Sequence, residues 1–359
     1  MTLEHAARAT AERLDPLGTH RVIDPPGTMP QNARKLDNTP VAFENEILCD
    51  VETLNIDSAS FKQIRDHCGG DAKHIAGHIT DTVRERGKQH NPVTGSGGMF
   101  IGRVLKVGER LRGRIDLQAG DRIASLVSLT LTPLYIESVT HVDVETGRVW
   151  IRGKAILFES GLWAKLPSDI HDDVALAVLD VAGAPAQVQR MTKPGMTVVV
   201  IGADGKSGML SCAHAKVQAG AGGRVIGVAP DAATPAAKLL QEAGLVDAFI
   251  EADARNARDV SQKVAALAPD LADLVVNCVN VPGTELTSIL CTKQHGTVYF
   301  FSMSTSFTAA ALGAEGVGKD VTMIIGNGYA IGHADCALQT LRDHPAIHRY
   351  FTSKYAGSR

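Results

Sequence analysis

Residues 197–210 read TVVVIGADGKSGML, three glycines set directly after β-branched residues and directly before a stretch that continues as an alanine-rich helix. A strand that turns at once into a helix needs a residue free of Cβ restraint, and the new helix presents unpaired N–H groups and partial positive charge. Gly202 permits the tight turn, Gly205 lets a pyrophosphate approach the main chain, and Gly208 allows the helix to pack closely on the strand. Lys206 adds a cation and Ser207 a hydroxyl at the same end. The spacing is G-x-x-G-x-x-G, not the commoner G-x-G-x-x-G, so its weight comes from its place between strand and helix. The competing reading is a turn that only packs a helix.

The surroundings favour a dinucleotide site. After Pro167 apolar strands alternate with helices: helix 172–190, strand 197–201, helix 208–219, strand 224–229, helix 234–243, strand 248–250 and helix 259–267. The series continues with strand 274–278, helix 285–290, strand 297–302, a last strand 322–325 and a terminal helix from His333. Such alternation predicts an α/β unit, a doubly wound parallel sheet covered on both faces. Before Pro167 short strands and turns prevail, with one helix expected over 60–86 because Ile64, Ile75, Ile79 and Val83 fall on one face. That half reads as an irregular β-rich domain. The expected divisions are an N-terminal extension 1–17, a substrate-binding catalytic domain 18–178, a dinucleotide-binding domain 179–335, and a C-terminal helix 336–359 packing back on the first domain.

A chain of 359 residues with 44% hydrophobic and 21% charged residues can bury two cores, and none of its segments is apolar enough to cross a bilayer. Its net charge of -3 lacks the positive stripe that nucleic acid requires, which leaves small-molecule substrates. The first residues hold acidic groups and no apolar core of a secretory signal, and the six cysteines show no C-x-x-C spacing. These features predict a reduced, cytoplasmic protein.

Ligands of open parallel sheets bind at the carboxyl ends of the strands. Asp231, just after strand 224–229, is placed to bind an adenosine ribose and to repel a 2'-phosphate, or equally to shape a solvated turn after Pro230, and no Arg or Lys follows before Lys238. NAD is therefore expected, with NADP open as a second choice. Asp253, Asn277, Asn280, Ser302 and Ser304 lie at the same edge, where each serves equally well as a cap. A zinc-dependent alcohol dehydrogenase would add Cys, His and Glu ligands. Here Gly98 and Met99 stand in the places of His and Glu, and Asp57 in that of Cys, so no metal is expected.

Longer stretches carry a more specific resemblance: GTHRVIDPPG (18–27), NEILCDVETLNIDSASF (45–61), NPVTGSGGM (91–99), LDVAGAPAQ (179–187), NCVNVP (277–282), GTVYFFSMSTSFTAAALGAEGVGKD (296–320) and MIIGNGY (323–329). From Gly18 to about Phe351 the chain resembles the L-erythro-3,5-diaminohexanoate dehydrogenase family, a zinc-independent branch of the medium-chain dehydrogenases. The resemblance implies a GroES-like catalytic domain joined to a Rossmann domain. It also implies NAD-dependent, reversible oxidative deamination of a diamino acid with release of ammonia, as in lysine fermentation, by a homodimer or homotetramer. Asp204 in the glycine loop departs from the small residue expected there.

Hydride can leave a carbon bearing nitrogen only when the amine is neutral, so such a site needs a base. Asp57 is the first candidate and Asp180 the second, each with a turn or helix-cap role as its alternative. Arg86 and Lys88 are candidates for the substrate carboxylate, with His20 and Arg21 as competitors. Ser58, Thr130 and Thr132 are candidate lining groups, and Glu159 a candidate for the distal ammonium. Two other readings use the same scaffold: a zinc-independent reductase of quinones, enones or ketones, and a dinucleotide-binding protein without turnover.

Overall fold

The computed structural model describes residues 14–91 and 97–357, without the side chains of Ser58 and Ala59. The chain divides into one unit ending at Pro167 and a second beginning at Ser168. The composition change at Pro167 is thus the boundary. The expected limit of 178 lay within the second unit, and residues 1–13 of the expected extension lie outside the described residues.

The first unit holds a short antiparallel pair, β1 (Val22–Asp24) with β2 (Lys35–Leu36), and a six-stranded antiparallel sheet. The sheet comprises β3 (Glu46–Asn55), β4 (Met99–Val107), β5 (Arg122–Ser125), β6 (Leu134–Asp143), β7 (Arg148–Phe158) and β8 (Trp163–Lys165), in the order β6-β7-β3-β4-β5-β8. Along β3, Cys49 and Val51 alternate with Asp50 and Glu52, so one face turns to the core and the other outward. The helix expected over 60–86 is two helices, α1 (Ser58–His67) and α2 (Ala72–Arg86). Gly69 and Gly70 break it at φ 64° and 75°, and Asp71 caps the new start by accepting from His74 N at 2.8 Å. Ile75, Ile79 and Val83 still share a face, buried against the sheet.

The second unit is built on six parallel strands: β9 (Thr197–Ile201), β10 (Arg224–Ala229), β11 (Ala248–Glu251), β12 (Ala272–Asn277), β13 (Thr292–Phe300) and β14 (Thr322–Ile325). Val198 to Ile201 are fully buried, which is why this strand reads as a continuous apolar run with no alternation. The order β11-β10-β9-β12-β13-β14 runs outward from β9 and then restarts at β12, the Rossmann arrangement. Its ligand crevice opens where the order reverses, beside β9.

Helices α3 (Asp172–Leu179) and α4 (Gly183–Met191) replace the single helix expected over 172–190. They are followed by α5 (Lys206–Ala219), α6 (Pro235–Glu242), α7 (Ala257–Leu267), α8 (Glu285–Cys291) and α9 (Phe307–Gly316), the last absent from the sequence expectation. The terminal helix is also two, α10 (His333–Asp343) and α11 (Pro345–Tyr355), because Pro345 lacks the N–H that would continue the first. Helix α10 packs on α3 and α4, and α11 on α3 and α6. The C-terminal segment therefore belongs to the second unit, a correction to the expected return to the first domain. Among the described residues no helix is long and apolar enough to cross a membrane.

Candidate active site

The glycine loop joins β9 to α5. Gly202 holds φ 80°, a left-handed turn that a side chain rarely adopts, and its missing Cβ faces Val279 at the outlet of β12. A Cβ on Gly208 would lie 2.0 Å from the Gly202 carbonyl oxygen, so glycine there is demanded by packing. Gly205 differs. A Cβ there would meet only the Gly202 carbonyl oxygen at 3.4 Å, an ordinary contact, so what glycine leaves at 205 is open space. Gly205 is also the N-cap of α5, and its lack of a capping side chain leaves the helix N–H groups to an anion. A dinucleotide pyrophosphate fits this cradle.

Lys206 and Ser207 open α5. The Lys206 ammonium bonds the Asp180 carboxylate at 2.6 Å and lies 6.0 Å from the centre of the Tyr355 ring. Asp180, the second candidate base, is therefore committed to orienting the loop lysine. Burial pushes the Asp204 carboxyl up from its ordinary value, with Asp231 adding to the effect and Lys354 opposing it. Two carboxylates thus influence each other near the end of β10, where the sequence reading placed only Asp231.

Other edge residues separate by role. Asn277 is fully buried and spends its side chain on the β12–α8 turn, donating to Thr284 Oγ1 and Ser288 Oγ at 2.9 Å each and accepting from Val279 N at 3.0 Å. That corrects its expected place at the cofactor, since the side chain is fully buried and both of its N–H donors are spent in the turn. Asp253 is held by Arg255, whose guanidinium donates at 2.6–3.1 Å and keeps the carboxyl at about 2. Asp231 accepts from Ala233 N at 2.6 Å, the turn role weighed against ribose binding, and stays exposed. Asn280 accepts from Ser304 Oγ at 3.1 Å and Ser302 Oγ at 3.4 Å, so these three expected residues do meet, at the ends of β12 and β13.

In the first unit, β3 delivers Asp57 to the N-cap of α1, where Oδ1 accepts from Ser60 N at 2.9 Å. Its second oxygen, Oδ2, is buried without a hydrogen-bond partner. One oxygen thus does the capping while the other is uncommitted. The backbone beside it is packed tightly: Gly98, at φ 90°, would bring a Cβ within 2.1 Å of the Asn55 carbonyl oxygen, and Gly97 one within 2.6 Å of the Gln89 carbonyl oxygen and 2.9 Å of Thr130 N. These contacts gather the end of β3, the start of β4, residue 89 and the 128–132 turn.

Lys88 is fully buried, donating to the Pro30 and Gln31 carbonyl oxygens at 2.8 and 3.1 Å. Burial, aided by neighbouring Arg86, lowers its ammonium to about 8. It anchors a loop, a correction to its expected role with the substrate carboxylate. Arg86 ends α2 half-buried with no ion pair among the described residues. Arg21 is buried and held by Glu46 through Nε at 2.8 Å and Nη2 at 2.6 Å, and His20 bonds the same carboxylate at 2.8 Å, which removes both competitors. Thr130 and Thr132 are buried and bond Ser128, and Glu159 pairs with Arg114 at 3.1 Å. The side chain of Ser58 lies outside the described residues.

Two groups escaped the sequence reading. Gln89, 1% exposed, has Oε1 buried and unpartnered, and His90 has Nδ1 in the same condition. Burial lowers the imidazole from its ordinary value, with Lys88 and Arg86 adding to the shift. Neither residue carries formal charge, so neither stood out in RERGKQHNPV beside its cations. Among the described residues no three His, Cys, Asp or Glu side chains gather as a metal would require.

Residues 20–167 match the family model of the L-erythro-3,5-diaminohexanoate dehydrogenase N-terminal domain, and residues 207–328 match that of the zinc-binding dehydrogenases. The L-erythro-3,5-diaminohexanoate dehydrogenase of Acetoanaerobium sticklandii is 55% identical over 339 residues, covering 94% of this chain and 98% of the relative. That of Fusobacterium nucleatum is 51% identical with the same coverage. Escherichia coli quinone oxidoreductase, solved with NADPH, is 19% identical with a TM-score of 0.53 over 86% of this chain and 82% of that one. That likeness gives the fold, a GroES-like domain followed by a Rossmann domain. With over half of its residues shared across almost its whole length, the chain belongs to the L-erythro-3,5-diaminohexanoate dehydrogenase family.

Proposed function

We propose that this protein catalyses the NAD-dependent, reversible oxidative deamination of L-erythro-3,5-diaminohexanoate to 5-amino-3-oxohexanoate and ammonia. The observation that carries the reading is the 55% identity over 94% of the chain to a dehydrogenase of that name. When bound, the nicotinamide supplies the hydride acceptor. The glycine loop and the open N-terminus of α5 hold the pyrophosphate, with Lys206 as a cation steadied by Asp180. Asp231 and Asp204 support NAD over NADP, because both disfavour a 2'-phosphate. Asn280, Ser302 and Ser304 offer hydroxyl and amide groups further along the same edge.

Asp57 is the base. Its uncommitted Oδ2 takes a proton from the reacting ammonium, leaving the neutral amine from which hydride departs. The resulting carboxylic acid lies beside an iminium carbon, and water adding there expels ammonia and leaves the ketone. Arg86 is the cation for the substrate carboxylate, since it has no competing anion among the described residues.

The protein works as a homodimer joined through β14. Among the described residues that strand ends the parallel sheet with one edge unpaired, and Ile325 and Met323 on it are 70% and 37% exposed. Exposed Met303 and Phe307 border it, and with Phe300 they line an apolar cavity of about 160 Å³.

The test is NADH formation from the diamino acid, run with NAD and with NADP, and the reverse reaction with and without ammonia. NAD turnover and an ammonia requirement are expected. Reduction of the amino ketone to an alcohol would instead make this a ketone reductase.

A further inference from the structure

Among the described residues the first unit holds five buried side-chain atoms with no hydrogen-bond partner, His20 Nδ1, Asn45 Oδ1, Asp57 Oδ2, Gln89 Oε1 and His90 Nδ1, and the last three belong to one stretch of packed backbone. Each such group left unmet costs about 1–3 kcal/mol, and the three whose main chains pack together call for a common explanation. They are tied together by contacts already described. The Gln89 carbonyl meets Gly97, the next residue Gly98 meets Asn55 and Ile56, and Asp57 follows. A bond of 3.0 Å from Asn91 Nδ2 to Gln63 Oε1 fastens the 88–91 segment to α1, the helix that Asp57 caps.

We propose that Asp57, Gln89 and His90 form an ammonium-recognition site, in which Gln89 and His90 are substrate-binding residues that hold the substrate nitrogen while Asp57 takes its proton. The chemistry matches on both sides. An ammonium brings three N–H donors and no acceptor, and the site brings three acceptors. With its proton on Nε2, the imidazole of His90 offers Nδ1, and Gln89 offers its carbonyl oxygen without adding charge. Lys88, next in sequence, does not compete, because two of its donors are already taken by the Pro30 and Gln31 carbonyls. The assignment rests on the proposed amine substrate and adds the residues that select it.

The test uses L-erythro-3,5-diaminohexanoate with NADH, a pair that binds without turnover, and reads substrate-induced thermal stabilisation beside the steady-state KM. Gln89→Leu removes an unpaired acceptor from the free enzyme, so its Tm without substrate is expected to hold or rise. Its KM for the diamino acid is expected to rise about 10-fold to 100-fold, as for loss of a bond to a charged group, with the KM for NAD unchanged. His90→Phe should act in the same direction, and Gln89→Glu, which keeps an acceptor, should restore binding. An unchanged KM in both Gln89→Leu and His90→Phe overturns the site, as does a fall in the free enzyme's Tm with no loss of substrate affinity. Wild-type binding without NADH formation in the NAD assay would overturn the function alone, and absence of binding would overturn both.

Discussion

Asp57 carries two duties on one carboxylate, and they can be separated. Asn caps a helix about as well as Asp, so Asp57→Asn keeps the bond to Ser60 N and the start of α1. It removes only the proton acceptor. We expect kcat to fall roughly 10²-fold to 10⁴-fold with Tm and NADH affinity retained, read by stopped-flow turnover and fluorescence titration. Near-normal turnover would exclude Asp57 as the base. Lys88 makes a different residue-scale case. Its ammonium sits at about 8 in the folded protein and at the ordinary 10.5 when unfolded. Between those values the unfolded chain binds more protons, so wild-type stability rises with pH, by up to about 1.4 kcal/mol per unit. Lys88→Met lacks that dependence. Urea unfolding of both proteins from pH 7.5 to 10 should show the difference moving in favour of wild type, and parallel curves would show that burial does not perturb this lysine. None of this was legible in RERGKQHNPV, because the burial of Lys88 depends on carbonyls of residues 30 and 31, distant in sequence, and the importance of Gln89 lies in a bond it does not make.

At the scale of elements, the β9–α5 turn was the most legible part of the chain, because main-chain geometry leaves so few residue types able to make it. The structure sharpens which glycine does what. Gly208→Ala forces a Cβ against the Gly202 carbonyl oxygen and should cost about 1–3 kcal/mol of stability, as overpacking does. Gly205→Ala meets no such obstacle, at φ −79° with only a 3.4 Å contact, so its stability should stay within about 1 kcal/mol of wild type. Its new methyl group instead enters the space left for the pyrophosphate, and NADH affinity should fall about 10-fold or more. Calorimetry and NADH titration on the two variants distinguish the cases. Equal loss of stability in both would mean that the loop is packing alone. The helix breaks were harder to read, since a preserved apolar face in α1 and α2 hides Gly69 and Gly70 between them. Helix α9 was missed for a related reason: its exposed apolar residues, Phe307 and Leu312, give no two-sided pattern for periodicity to detect.

For the whole molecule, the parallel half was visible from alternation, whereas the fate of its last segment was not. Helices α10 and α11 bury residues such as Leu341, Ile347 and Phe351 within the second unit, a destination that amphipathic spacing alone does not specify. The opposite end of that unit is left with β14, whose outer N–H and C=O groups have no strand beside them among the described residues. Edge strands are usually blunted by lysine, proline or a bulge, yet β14 reads Thr322, Met323, Ile324, Ile325 and has none of these. Isologous pairing of two β14 strands about a two-fold axis would satisfy both edges at once and cover Ile325 with its counterpart. Ile325→Lys places like charges across that axis. Light scattering on the eluting protein should show wild type at twice the chain mass and Ile325→Lys at the single mass, with NADH affinity kept because the substitution is remote in the strand order from β9. A monomeric wild type at micromolar concentration, or a dimer that survives the charge, would show that this edge stays uncovered and that its apolar side chains serve another end.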